Sequence, residues 1–286
     1  MRPDPSGSRF EVAVPGGVIV AQRAGVGDPA LLLHGGPGLS EHLDELADEL
    51  RRARLSTVRF QQRGVAPSTL AGPFDVTRHV ADAIAVLDVA GIERAWLIGH
   101  SWGGYLALQI ASRHPQRALG VLAIGTLGAV GDGGAEALGP NLLARVSEEA
   151  RAEYATIEAR EDAGTATDAE SLRGIELLWP AYFADPASAP PPPDDLAVSL
   201  ACNQQTAASI APDAERLATS LAGCMVPTVF VHGDRDPIDP DASARATAAV
   251  MPNAQVVTVP GVGHFPWLER PGCVADALID LVALSI

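Results

Sequence analysis

The sequence contains no lysine; all 20 of its basic residues are arginine, set against 35 Asp and Glu, for a formal net charge of −15 over 286 residues. A nucleic-acid surface needs a basic face. The densest arginine group, Arg51, Arg52 and Arg54, sits among Glu45, Asp48 and Glu49 and reads as a solvated helix end. Anionic membranes are disfavoured for the same reason. Cysteine is scarce: Cys202, Cys224 and Cys273 are too few and too scattered for a disulfide framework or a zinc site, and the odd count fits a reducing compartment. No apolar run approaches the ~20 residues of a membrane helix, and Met1–Ser8 has no apolar core of a signal peptide. The expectation is a soluble cytoplasmic protein acting on a small molecule, with neither nucleic acid nor membrane as partner.

With 47 % hydrophobic and 19 % charged residues the composition is globular. A chain of this length buries enough surface to need no staple. Strand-like and helix-like runs alternate through residue 127. Residues 10–14 and 18–23 flank Pro15-Gly16-Gly17, a hairpin signal. Leu31-Leu32-Leu33 is a continuous apolar run, as in a strand covered on both faces. Residues 40–53 have helical spacing with Ser40 placed to cap them, 55–60 read as a strand, and 77–90 as a helix capped by Thr77. Further strands are expected at 95–98 and 118–124, with a helix over 102–113 between them. Such alternation implies crossovers and a mostly parallel sheet. The pattern breaks over 128–222, which is helix-like, contains Pro190–Pro193, and resumes at strands 228–231 and 255–259. Residues 128–222 hold 16 acidic and 5 basic residues, net −11, against 19 and 15, net −4, elsewhere. We read 1–127 with 223–286 as one α/β core and 128–222 as a helical insertion.

Gly99-His100-Ser101-Trp102-Gly103 fits Gly-x-Ser-x-Gly between a predicted strand and a predicted helix, the context in which a serine is presented on a tight turn at a helix N-terminus. Serine needs a base, and the base an orienting carboxylate. His264 follows the strand 255–259, and Asp236 follows 228–231, with Asp234 and Asp239 as rivals for the acid. Both loops lie at carboxyl ends of strands, where open α/β sheets build their sites. The other histidines, His34, His42, His79, His100, His114 and His232, read mostly as structural. His34-Gly35-Gly36-Pro37-Gly38 lets the backbone approach a bound group, so the N–H groups of Gly36 and Trp102 are candidate oxyanion donors. A phosphate loop is a poor rival, because neither Gly-x-Gly-x-x-Gly nor Gly-Lys-Ser/Thr occurs.

On these motifs the sequence resembles the α/β-hydrolase superfamily. With His34–Gly38, Gln61-Gln62-Arg63-Gly64 and Gly99–Gly104 it resembles the proline iminopeptidase-like branch. The resemblance implies a mostly parallel eight-stranded sheet with a helical cap between strands 6 and 7, the triad Ser101, Asp236 and His264, and no cofactor or metal. Two departures stand out. Gln61 replaces the branch's Asp and Ala66 one of its glycines, and Glu176-Leu177-Leu178-Trp179-Pro180 is not the Trp-x-x-Trp-Glu type segment that holds a free amine. The expected activity is therefore serine hydrolysis of a small or medium ester, lactone or amide through an acyl-serine. An N-terminal prolyl aminopeptidase, an acyl-transfer or cyclisation enzyme on the same triad, and a non-catalytic ligand receptor are the alternatives. Gly35, Glu176, Trp179, Phe183 and Phe265 are the candidate pocket residues.

Overall fold

A computed structural model describes residues 7–285. The first six residues of the Met1–Ser8 stretch lie outside the described residues. Eight strands form one sheet: β1 (Ser8–Val14), β2 (Gly17–Ala24), β3 (Asp28–Leu33), β4 (Leu55–Phe60), β5 (Ala95–His100), β6 (Ala118–Ile124), β7 (Thr228–Gly233) and β8 (Ala254–Val259). Their spatial order is β1-β2-β4-β3-β5-β6-β7-β8. β2 runs antiparallel to β1 and β4, and every pairing from β4 to β8 is parallel. The carboxyl ends of β3, β5, β6, β7 and β8 therefore share one edge of the sheet.

The helices are α1 (Asp44–Arg52), α2 (Val76–Val89), α3 (Trp102–Arg113), α4 (Ala135–Leu143), α5 (Glu148–Asp162), α6 (Asp168–Leu178), α7 (Leu200–Ile210), α8 (Ala214–Leu221), α9 (Ala246–Val250), α10 (Pro266–Glu269) and α11 (Cys273–Leu284). Central strands are buried on both faces, which explains their unbroken apolar runs. Successive side chains go to opposite sides. Leu31, Leu33, Leu97 and Phe230 pack with α2 and α3 in one cluster, while Leu32, Trp96, Ile98 and Val229 pack with α1 and α11 in the other. Truncating such a leucine to alanine costs about 2–5 kcal/mol. No helix among the described residues is long and apolar enough to cross a membrane.

Two expected caps differ. α1 begins at Asp44, after Leu43, and Ser40 instead bonds across to another segment: its N–H donates to Ala197 O (2.9 Å), and its Oγ accepts from Ala197 N (3.0 Å). α2 is capped by Asp75, which accepts from Arg78 N at 2.8 Å, two residues ahead of Thr77. Cross-chain bonding draws Ser40 away and leaves α1 to start after Leu43 with no side-chain cap, whereas at α2 the local polar side chain of Asp75 takes the position. Between β6 and β7 the chain builds α4 to α8. Leu142, Leu178 and Ala181 form a small cluster of their own there, whereas Leu217 and Leu221 of α8 join the core cluster beside α3. The chain at 197–199 lies antiparallel to 38–40, through Ser199 N to Gly38 O (2.7 Å) and the Leu39–Val198 bridge.

Candidate active site

Ser101 occupies the turn between β5 and α3 with φ 55° and ψ −122°, a strained backbone for a residue with a side chain. Its N–H donates to Ile124 O (2.8 Å), and its carbonyl accepts from Gly104 N (2.9 Å). The glycines of the motif are required by contact. A Cβ on Gly99 would lie 2.1 Å from Gly103 O, and one on Gly103 would lie 2.0 Å from Leu33 O. The turn is thus wedged backbone against backbone, which holds a conformation costing about 1–3 kcal/mol.

His264 Nδ1 lies 3.0 and 3.1 Å from the two oxygens of Asp236. The carboxylate can only accept, so Nδ1 carries a proton, and in the neutral ring Nε2 is the bare nitrogen. Asp236 Oδ1 also accepts from Ile238 N (2.9 Å), and His232 Nδ1 stands 3.6 Å from Oδ2. Burial by itself would raise the Asp236 pKa, but His264, the Ile238 N–H and His232 outweigh it and hold the carboxyl below its usual range. His264 is braced through its N–H, which donates to Tyr182 O (2.8 Å). Glu269 accepts from Gly263 N and Ala184 N, both at 2.8 Å, tying the histidine loop to the chain after α6. The rivals Asp234 and Asp239 serve turns, accepting from Gly261 N (2.7 Å) and Asp241 N (2.9 Å).

The glycine loop after β3 is held by Gln62. Its backbone N–H donates to His34 Nε2 (3.1 Å), its side-chain amide donates to His34 O (2.9 Å), and its Oε1 accepts from Trp102 Nε1 (2.8 Å). Gln61, where the resembled branch has Asp, bridges Glu41 N, Leu39 O and Gln62 O with a neutral amide. Arg63 is fully buried against Asp82 at 2.5 and 2.9 Å, anchoring this loop to α2.

Ser101 and His264 open into one cavity of about 230 Å³. Gly35, Gly36, Leu39, His42, His100 and Trp102 form its core side. Leu138, Ile175, Trp179, Tyr182, Leu196 and Asn203 face them from the segment between β6 and β7. No Asp, Glu or Arg is among the described residues lining it. A larger surface groove of about 450 Å³, beside Asp75, Arg78 and Arg113, contains neither histidine nor cysteine.

Residues 28–271 match the model of the alpha/beta hydrolase fold family. The chain belongs to the α/β-hydrolase family. The 2-hydroxymuconate semialdehyde hydrolase of Pseudomonas putida is 28 % identical over 261 residues, covering 86 % of this chain and 84 % of its own. The pimeloyl-[acyl-carrier protein] methyl ester esterase of Xanthomonas campestris is 30 % identical over 210 residues, covering 72 % and 76 %. Among solved structures, proline iminopeptidase of Mycobacterium smegmatis superposes with TM-score 0.67 at 21 % identity, covering 97 % and 99 %, a likeness of fold. The hydrolase names of these relatives support reading the chain as an enzyme of that class.

Within this hydrolase fold, Gly35, Trp179 and Phe265 line the cavity with Ser101, and two other expected pocket residues do not. Glu176 is exposed and paired with Arg173 at 3.3 Å, because it sits on the outer face of α6. Phe183 is buried behind the cavity, stacked on Phe265 at 5.1 Å and tilted against Trp179 at 5.7 Å. His42 and His100, read from the sequence as structural, also line this cavity. The available signal for His100 was its place directly before Ser101 in the motif. For His42, on an irregular loop, there was none.

Proposed function

We propose that the protein is a serine hydrolase in which Ser101 is the nucleophile, His264 its general base and Asp236 the group that fixes the His264 tautomer. The observation that carries this reading is the buried Asp236–His264 pair, Nδ1 to carboxylate at 3.0 Å, beside a serine on a strained turn in the same cavity. The bare Nε2 takes the Ser101 proton as Oγ attacks an acyl carbon, then returns it to the leaving group. The N–H groups of Gly36 and Trp102 receive the oxyanion, aided by the positive end of α3. Gln62 is a positioning residue, linking His34 to Trp102. Water releases the acyl group.

Residues 128–222 act as the cap: Leu138, Ile175, Trp179, Tyr182 and Leu196 close the apolar side of the cavity. Its volume and the lack of charged lining suit a small, neutral ester or lactone, and the relative named a methyl ester esterase fits that class. A buried ammonium requires nearby carboxylates, and none is among the described residues that line the site, which weighs against the aminopeptidase alternative. A parallel assay of short p-nitrophenyl esters, lactones and prolyl-amides tests this. Ester or lactone turnover is expected, with little on either free or N-acetylated prolyl-amide. Efficient cleavage of the free-amine prolyl-amide alone would overturn the choice of substrate class.

A further inference from the structure

The mechanism above leaves two cavity-lining histidines without a task. His42 Nδ1 lies 3.0 Å from Ser40 O, and His100 Nε2 lies 2.9 Å from His264 O. A carbonyl oxygen can only accept, so each of these nitrogens carries its ring's proton. The remaining nitrogens, His42 Nε2 and His100 Nδ1, face one another at 3.5 Å. In two neutral rings both are bare, and two lone pairs make no hydrogen bond. Bonding the rings to each other would take one more proton and create an imidazolium.

The surroundings disfavour that cation. Burial lowers the pKa of His42, and burial with His264 and His42 nearby takes His100 well below its ordinary value. The rings against the pair are His34 (6.0 Å from His42), His264 (4.6 Å from His100), Phe265 and Trp267, and no carboxylate is among the charges that act on either histidine or the described residues that line the cavity. The pair therefore holds two bare acceptor nitrogens against each other on residues that line the cavity. Their place is beside the nucleophile: a Cβ on Gly35 would lie 3.1 Å from His100 Nδ1 and 3.2 Å from Ser101 Cβ. A buried acceptor without a donor is costly, and a ligand can supply that donor.

We propose that His42 and His100 form a subsite for a neutral hydrogen-bond donor on the substrate, a hydroxyl on the carbon next to the scissile carbonyl, shared between the two bare nitrogens. An ammonium would also donate, but no Asp or Glu among the described lining residues offsets its charge. The subsite makes the enzyme selective for 2-hydroxyacyl esters. It rests on the assignment of Ser101 as nucleophile.

The test compares kcat/KM for ethyl glycolate, ethyl methoxyacetate, ethyl propionate and ethyl glycinate. Glycolate should exceed methoxyacetate and propionate by at least about 10-fold, the worth of one buried hydrogen bond to an otherwise unpaired acceptor. In His42→Phe the glycolate-to-propionate ratio should fall towards one. Turnover of all four without discrimination overturns the subsite and leaves the hydrolase standing, a preference for glycinate overturns the neutral donor, and turnover of none overturns the subsite, with fluorophosphonate labelling of Ser101 deciding separately whether the hydrolase reading stands. Imidazole ¹⁵N spectra of the wild-type protein at neutral pH need no variant to fold. They should show one bare nitrogen on each of His42 and His100, and a ring protonated on both nitrogens would overturn the proposal.

Discussion

Lowering the pH from about 6.5 to 5 should destabilise this protein steeply, through histidines that are buried without charge. Burial takes His34 and His79 to about 3 and His232 to about 4, from an ordinary value of 6.5. In the folded chain these rings stay neutral below pH 6.5, while in the unfolded chain they take up protons. The unfolded state then binds more protons, so stability rises with pH and is lost as pH falls from about 6.5 towards the folded values. Each ring contributes about 1.4 kcal/mol per pH unit, roughly 4 for the three together. Glu41, Asp82 and Glu269 oppose this, since burial raises their pKa and the folded state protonates first. His42 and His100, whose pKa burial also lowers, add to the slope, so its net sign should be positive. Against a total stability of about 5–15 kcal/mol, this brings unfolding within reach near pH 5. Urea denaturation at half-unit steps from pH 7 to 5 measures it, and His79→Gln should lower the slope by about 1.4 kcal/mol per unit. A stability that is flat, or that rises on acidification, would refute the assignment of these rings as buried and neutral.

Asp236→Asn should lower kcat by several orders of magnitude, because an amide next to His264 Nδ1 favours the wrong tautomer. Asp234→Asn, at a turn where Oδ1 accepts from Gly261 N, should be mild, and the reverse ranking in kcat would reassign the acid. Asp82→Ala leaves the Arg63 charge buried alone and should cost about 3–5 kcal/mol, a fall in Tm on the order of 10 °C. Replacing both partners, Arg63→Met with Asp82→Leu, should recover most of that, and a double variant no better than the single one would show that the pair is not the cause.

The sheet was legible because its strands are buried on both faces, so Leu31–Leu33, Ala95–Ile98 and Thr228–Val231 read as unbroken apolar runs. The elbow was legible because Gly99 and Gly103 meet neighbouring backbone that admits no side chain. The facing of α6 was not: Glu176, Leu177 and Trp179 all follow one another near its end, and only packing decides that Trp179 turns to the cavity while Glu176 pairs with Arg173. Phe183 was misplaced for the same reason, since an aromatic beside a site and one behind it have the same local sequence. The His42–His100 pair joins residues 58 positions apart, and no periodicity connects them.

The central claim is that Ser101 carries the acyl group, and covalent labelling tests it most directly. Reaction with a fluorophosphonate, followed by peptide mapping, should place a single adduct on Ser101. Ser101→Ala should neither label nor hydrolyse esters while unfolding at the wild-type temperature, because the hydroxyl is lost from a half-buried turn that already opens into the cavity and no new core void is made. An adduct on another residue, or ester turnover by Ser101→Ala close to that of the wild type, would contradict the account.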